Sequence, residues 1–202
     1  MPGDRDEEGG TIMKFHKLTK RAVGFWGLTL LVTTSGCFGI KVPLDHYVPA
    51  IAGDLDAYRG KPVYLMNFDN QANDTSIWRY YSPDGKFGYL MNDTLHNYFW
   101  YAFRDAFQKK GMLVSNVDNP NLNAPAMWVT LLSITDEQYL VRVTVQRSGV
   151  TAFTEKYAIQ EPPLEKKSHI PALLEQRAYR MTNRLIETIL RDPNFRKIVG
   201  TP

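Results

Sequence analysis

The chain has 202 residues, which is enough for one domain of ordinary size and a terminal segment but leaves little room for two domains. Hydrophobic residues make up 44% and charged residues 22%, and this near-average balance excludes wholesale disorder and a protein with many membrane spans. The net charge of +3 is too small to indicate a nucleic-acid partner, and the single cysteine, Cys37, excludes an intrachain disulfide and a cysteine-based zinc site.

Residues 14–37 have the layout of a secretory signal peptide. A basic stretch over 14–21 precedes an uncharged apolar run over 22–32, and small residues at 33–36 lead to Cys37. The apolar run is shorter than the roughly 20 residues that a membrane-spanning helix needs. Two alternatives stay open, namely an uncleaved signal anchor over 22–40 and a buried helix with an incidental cysteine. Met13 suits the basic start of a signal better than Met1, which precedes an acidic stretch.

The residues Ser35-Gly36-Cys37 resemble the end of a bacterial lipoprotein signal. This resemblance implies that residues 1–36 are an extension and a cleaved signal peptide, and that Cys37 becomes the lipidated first residue of the mature chain. Phe38 stands where many lipoproteins retained at the inner membrane have aspartate. The resemblance therefore implies a palmitate-carrying lipoprotein of the outer membrane that faces the periplasm.

The segment after the cysteine, residues 37–60, contains Pro43, Pro49 and Gly53 and has no sustained periodicity. We predict that it is a tether that holds the folded part away from the bilayer. A first strand is predicted over 63–68, and polar residues end it. Residues 75–89 are rich in aromatic side chains and carry a turn, which predicts a long loop or a small hairpin.

The rest of the chain, within a domain predicted over 61–202, shows regular periodicity. A helix is predicted from Asn92 or Asp93 to Gly111, followed by strands over 112–117, 127–134, 139–147 and 151–159, of which the last three form a meander. A final helix is predicted over 171–191 and stops at Pro193. The order β-α-β-β-β-β-α predicts an α+β two-layer sandwich, in which a mainly antiparallel sheet of four to five strands carries two amphipathic helices on one face.

The sequence is poor in groups that would catalyse a reaction, and it contains no nucleophile, nucleotide-binding or metalloprotease motif. His96 is expected to be an ordinary residue on the flank of the first helix. The oxygen-rich stretch from Asp69 to Asp74 lacks the glycine and the terminal glutamate of a calcium-binding loop. We therefore predict no enzymatic activity, no cofactor and no metal site, and only a pocket enclosing His96 or Asp69 with other polar groups would favour an enzyme.

Aromatic residues concentrate between positions 78 and 107. Residues 98–101 are four consecutive aromatics, and at 100° per residue they point in too many directions for one buried helix face. Either the preceding loop folds over them, or they form an acyl-chain groove or a docking surface. The predicted lipid or partner contacts are Trp78, Tyr80, Tyr81, Trp100 and Phe107.

Arginines share one face of the final helix. Such a stripe would bind lipid phosphates or an acidic partner. Glu187 falls on the same face, so a solvated face whose charges pair with one another is the alternative. The predicted phosphate or acidic-partner contacts are Arg177, Arg180 and Arg184.

Over residues 37–192, this order of elements resembles small bacterial envelope lipoproteins, most closely the auxiliary lipoproteins of ABC-type lipid-transport systems, the PqiC-like family. The stretch Tyr89-Leu90-Met91 before the first helix and the strand pair over 127–145 carry the resemblance. LptE-like and YajG-like lipoproteins have a comparable layout.

The resemblance implies a non-enzymatic, lipid-anchored periplasmic binding protein that serves an envelope lipid-transport or outer-membrane assembly system. Its expected partners are the membrane, reached through the lipidated cysteine, an envelope protein complex and a lipid, with no nucleic acid. The alternative is a structural lipoprotein that docks the outer membrane to another envelope assembly without carrying lipid.

Overall fold

A computed structural model describes residues 39–53, 55–165 and 170–200, so Cys37 and the signal segment lie outside the described residues. Ten strands and three α-helices form in this part of the chain. The strands are β1 (Ile40–Pro43), β2 (Pro62–Leu65), β3 (Asp69–Asn70), β4 (Thr75–Ser76), β5 (Arg79–Tyr81), β6 (Phe87–Leu90), β7 (Leu113–Ser115), β8 (Ala126–Ile134), β9 (Gln138–Arg147) and β10 (Val150–Gln160). The helices are α1 (Leu95–Lys109), α2 (Pro171–Arg191) and α3 (Pro193–Val199), with a short 3-10 helix at Asp56–Tyr58.

The larger of two sheets has the strand order β10-β9-β8-β2-β7, and β3 pairs with β8. Strands β8, β9 and β10 form the predicted antiparallel meander, whereas β2 runs parallel to β7 and β8. Every second residue of β9 is buried, beginning at Tyr139, because that face meets the helices and the other face is open. The predicted α+β class is confirmed, and the large sheet combines the long antiparallel meander with short parallel pairs at β2, β3 and β7.

The two long helices form where the periodicity predicts them. The Thr94 hydroxyl accepts the Asn97 backbone N–H and thereby caps α1, one residue later than the predicted cap. In α2 an apolar stripe from Leu174 to Ile189 is completely buried. Helix α2 spans the predicted residues 171–191, and a short helix that was not predicted, α3, begins at Pro193, because the Asp192 carboxylate caps it and proline suits its first position.

The aromatic segment 75–89 forms most of a second, smaller sheet with the strand order β1-β6-β5-β4. Strand β1 lies parallel to β6, and β5 is antiparallel to both β4 and β6. The stacked rings of Tyr80 and Tyr89 lie 4.5 Å apart, and the Tyr80 hydroxyl lies 2.7 Å from that of Tyr139 in the large sheet. The small sheet therefore contributes directly to the core.

The segment predicted as a tether belongs to the folded domain. After β1, the Tyr47 hydroxyl donates to the Asn183 side chain at 2.7 Å, and the Ala52 N–H donates to the Glu187 carboxylate at 2.6 Å. The Tyr58 ring is completely buried and its hydroxyl donates to the backbone of α2. The prediction failed because the partners of this segment lie more than 130 positions away in the chain, where no local pattern reveals them.

Candidate functional site

The structure separates the five aromatic residues predicted to contact a lipid or a partner. Tyr80 and Phe107 are completely buried. Phe107 packs its ring 5.7 Å from that of Phe103 in the core, and Tyr80 lies between the two sheets. Their burial contradicts the predicted surface contact, because the Phe107 side chain lies on the core face of α1 and the small sheet holds Tyr80 against Tyr139.

Three aromatic residues keep exposed or partly exposed side chains, and we call them together the aromatic surface: Trp78, Trp100 and Tyr101. Trp78 is 52% exposed in the turn between β4 and β5, and Tyr101 is 42% exposed on α1. The Trp100 indole is partly buried, and its N–H finds no acceptor among the described residues. The Arg104 guanidinium lies 4.8 Å from the Tyr101 ring centre and 5.4 Å from that of Trp100, which holds both rings in place. Tyr81 is half-buried.

A cavity of about 180 Å³ opens beside the aromatic surface. Met91 and Tyr101 line this cavity, and the Met91 N–H donates to the Trp78 carbonyl at 3.2 Å, so the backbone of Trp78 lies beside a lining residue. Three carboxylates also line it, from Asp45, Asp93 and Asp105. The sequence analysis missed Tyr101 and these acids as site residues. The charged residues around α1 could have indicated Asp93 and Asp105 as site residues. Asp45 could not be found in this way, because it lies in the segment predicted to be a tether.

The cavity is smaller than the roughly 300 Å³ at which small-molecule sites usually begin. It admits a group the size of one side chain. The surface around it is therefore suited to contact with a partner and not to enclosing an acyl chain.

The arginine stripe of α2 is divided by burial. Arg177 is 3% exposed, and its guanidinium donates to the backbone carbonyls of Asp136 and Pro162, each at 2.8 Å. This contradicts the prediction that Arg177 contacts lipid phosphates, because its donors are used inside the protein. Arg184 is exposed and pairs with the Glu161 carboxylate. Arg180 is exposed and has no hydrogen-bond or ion-pair partner among the described residues.

The Asp136 carboxyl group lies in the turn between β8 and β9 and is 3% exposed. Burial raises its pKa to about 6, although the nearby Arg177 charge opposes this shift. One carboxyl oxygen has no partner among the described residues, and the same is true of the buried Tyr89 hydroxyl. Burial raises the pKa of Tyr89 as well, and the Asp136 charge adds to the shift. These groups form a buried polar cluster that the sequence analysis did not find.

The polar residues considered for catalysis are engaged in local contacts. A ring nitrogen of His96 lies 3.2 Å from the Thr94 hydroxyl, and the Asp69 carboxylate accepts the Gln71 side-chain amide. The Asp74 carboxylate accepts the Ser133 hydroxyl and the Ile134 N–H, which fixes the loop to β8. Within the described ranges, no group of three or more histidine, cysteine, aspartate or glutamate residues is arranged to hold a metal ion.

No family model and no curated protein match this chain. Among solved structures, protein XCC0632 from Xanthomonas campestris, described under the family DUF330, is similar over 74% of this chain and 94% of its own, with a TM-score of 0.54 and 9% identity. A structure described as an uncharacterized protein covers 74% of this chain and 99% of its own, with a TM-score of 0.41 and 10% identity. At 9% identity, the similarity to XCC0632 establishes a shared fold.

Proposed function

We propose that this chain is a non-enzymatic, lipid-anchored binding protein of the bacterial envelope. It is held on the periplasmic side of the outer membrane through Cys37 and acts as an accessory component of a lipid-transport or assembly system. The observation that carries the proposal is the exposed aromatic surface, in which Tyr101 lines a cavity too small to enclose a lipid. Exposed aromatic side chains are typical of contact sites.

The way in which the chain enters the domain supports an anchor at Cys37. The Ile40 N–H donates to the Lys86 carbonyl at 2.9 Å, so the domain begins three positions after the cysteine of the lipoprotein-like signal. Among the described residues, no helix is long and apolar enough to cross a membrane.

The anchor is tested by metabolic labelling with radioactive palmitate in a bacterial host. We expect label on the wild type and none on Cys37→Ser, because the thiol is the acylated group, and we expect the labelled protein in the outer-membrane fraction. Unlabelled wild type that stays in the inner membrane would indicate an uncleaved signal anchor and would overturn this part of the proposal.

The binding role is tested by mass spectrometry of the purified protein. Lipid recovered in molar proportion, and lost in a Trp78→Ala/Tyr101→Ala double variant, would favour lipid handling at the aromatic surface. Thr188→Ala, an exposed position on α2, is the control. Without bound lipid, the second candidate function is favoured, a docking lipoprotein that links the outer membrane to another assembly. The open edge of the large sheet supports this second candidate.

A further inference from the structure

Strand β10 forms one edge of the large sheet and is the longest strand of the described chain, with 11 residues. Its inner side pairs with β9 in register from Phe153 to Gln160. In an antiparallel pair, the N–H and C=O groups of alternate residues point to opposite sides of the strand. The Glu161 N–H donates to the Glu137 carbonyl, so odd-numbered residues of this stretch face β9. The backbone groups of Thr154, Lys156 and Ala158 therefore face outward.

Among the described residues, no backbone group pairs with these outward-facing groups of β10; the Lys156 N–H donates to the Glu155 carboxylate of the same strand at 3.1 Å, a bond that an added strand would replace. The next outward carbonyl, that of Gln160, is contacted by the Arg184 guanidinium at 3.5 Å, which closes the edge at that end. At the other end, the register shifts between Thr151 and Phe153, and this bulge interrupts regular pairing. The open edge thus spans about five residues, the length of a typical short strand.

A groove lies between residues 152–155, at the start of β10, and α3, so it adjoins the first part of the open edge on the face of the sheet that carries the helices. We call it the edge groove, and its volume is about 540 Å³. Its apolar base is the half-buried Phe153 ring, which packs against Phe195, and the exposed Lys197 stands at its border. A strand added to β10 would direct every second side chain toward this groove. Grooves of this kind between an edge strand and a helix give added strands their specificity.

The open face of the large sheet carries two positive charges on neighbouring strands, one on β10 and one on β9. Lys156 lies directly opposite Arg142 in the register, and both side chains are on the open face of the sheet. Neither forms an ion pair with any residue that the structure describes. Like charges directly opposite one another destabilise a strand pair, so a carboxylate placed beside them would be attracted to both.

We propose that β10 is a docking site for an extended segment of a partner protein that adds to the large sheet as a further strand. Acidic side chains of the segment would lie on the open face beside Lys156 and Arg142. The alternating apolar side chains would face the edge groove. The proposal rests on the proposed binding role, but it needs neither the lipid anchor nor a bound lipid.

The test uses the full chain in detergent micelles and two capped nine-residue peptides, one alternating glutamate with valine and one alternating lysine with valine. We expect the glutamate peptide to bind at least about tenfold more tightly, measured by fluorescence anisotropy of the labelled peptide. Peptide binding should also slow amide hydrogen exchange at Thr154, Lys156 and Ala158 while leaving Glu155 and Tyr157 unchanged. Equal binding of both peptides, or no added protection at these three amides, would overturn the proposal.

Matched variants separate edge pairing from general effects. Ala158→Pro removes an outward N–H and keeps the bonds to β9, so we expect binding to weaken at least about tenfold, whereas Ala158→Thr should bind normally. Lys156→Glu should weaken binding of the glutamate peptide, while Lys110→Glu, on the loop after α1, should not. If Ala158→Pro does not fold, the Lys156→Glu variant and the exchange pattern still decide the question.

One further measurement distinguishes docking of a partner from self-association, and another distinguishes it from the lipid anchor. A concentration-dependent dimer in sedimentation that Ala158→Pro abolishes would show that β10 pairs with a second copy of the chain, and would overturn the assignment to a different protein. Cys37→Ser should bind the glutamate peptide like the wild type. Failure of the lipid anchor is therefore distinguishable from failure of the docking site.

Discussion

At the scale of single residues, burial decides which of three similar arginines on one helix is structural. Arg177 reaches inward and joins the β8–β9 turn and the loop after β10 to α2 through two backbone carbonyls. The planar guanidinium can serve both carbonyls at once, which a lysine cannot do with the same geometry. Arg180, one turn further along the same helix, is exposed to solvent. The two positions therefore differ in environment while sharing helix and residue type.

We expect Arg177→Met to lower the free energy of unfolding by about 3 kcal/mol, because it leaves two carbonyls without a donor and removes a buried charge-assisted contact. Arg180→Met should change it by less than about 0.5 kcal/mol. Urea denaturation of both variants measures the difference. An equal effect of the two substitutions would contradict the structural role of Arg177.

The raised pKa of Asp136 predicts how stability depends on pH. Because the folded-state pKa is about 6 and the ordinary value is 3.8, the folded protein binds more protons than the unfolded chain between these values. Stability should therefore fall as the pH rises from about 4 to about 6, and this group should add no further change above that range.

Asp136→Asn should remove this component of the pH dependence, which is of order 3 kcal/mol. The measurement is the difference in unfolding free energy between the variant and the wild type at a series of pH values. The Arg177 charge lowers the pKa of Asp136, and the Glu137 charge raises it. The control is Glu137→Gln, because it removes a neighbouring charge while the Asp136 carboxyl group stays in place. A difference that stays constant across the range would show that Asp136 titrates normally.

At the scale of elements, α2 holds the N-terminal part of the domain. The Asn183 side chain accepts both the Tyr47 hydroxyl and the Ala50 N–H, and the Tyr179 hydroxyl accepts the His46 N–H. The segment between β1 and the 3-10 helix has little regular structure of its own. Its order therefore depends on these side chains of α2.

We expect Asn183→Ala to loosen the segment over residues 45–53 and to lower the free energy of unfolding by about 1 to 2 kcal/mol, since two donors lose their acceptor. Hydrogen exchange at Ala50 should become faster, and limited proteolysis should cut within the segment. Gln176→Ala, an exposed substitution on the same helix, is the control. Unchanged exchange at Ala50 would show that the segment is held by other contacts.

Elements with strong periodicity could be predicted from the sequence, and elements that depend on distant contacts could not. The alternation from Tyr139 onward and the apolar stripe of α2 determine β9 and α2 locally. Strands β3 and β4 have two residues each, and β1 exists only because its backbone pairs with β6 across more than forty positions. Such short strands have no periodicity of their own to detect.

The candidate sites could likewise be predicted from the sequence only in part. The aromatic concentration pointed to the region of α1 and the β4–β5 turn, but composition alone could not separate the exposed Trp78 from the buried Phe107. The edge position of β10 follows from the order of the strands, which depends on parallel pairing between β2 and β8. A single sequence carries little information about such pairing.

At the scale of the whole molecule, the two candidate contact regions lie on different parts of the described chain. The aromatic surface belongs to α1 and the β4–β5 turn, whereas the docking edge belongs to β10. The chain enters the domain beside the turn at residues 82–86. This turn lies near the end of the large sheet where β8 turns into β9, because Tyr81 forms a β-bridge with Thr135 there. The tip of the β9–β10 hairpin lies at the opposite end of these strands.

The entry point beside Lys86 has an electrostatic consequence. Three residues span at most about 10 Å, so a lipid on Cys37 would keep this turn within roughly one Debye length of the headgroups at physiological salt. In the turn, Lys86 pairs with Asp84, and hydrogen bonds from Lys86 and Ser82 hold the pKa of Asp84 well below its usual range. The charges of Lys86 and Asp84 would thus largely cancel beside the bilayer, so this turn by itself would neither draw the domain onto anionic lipids nor push it away.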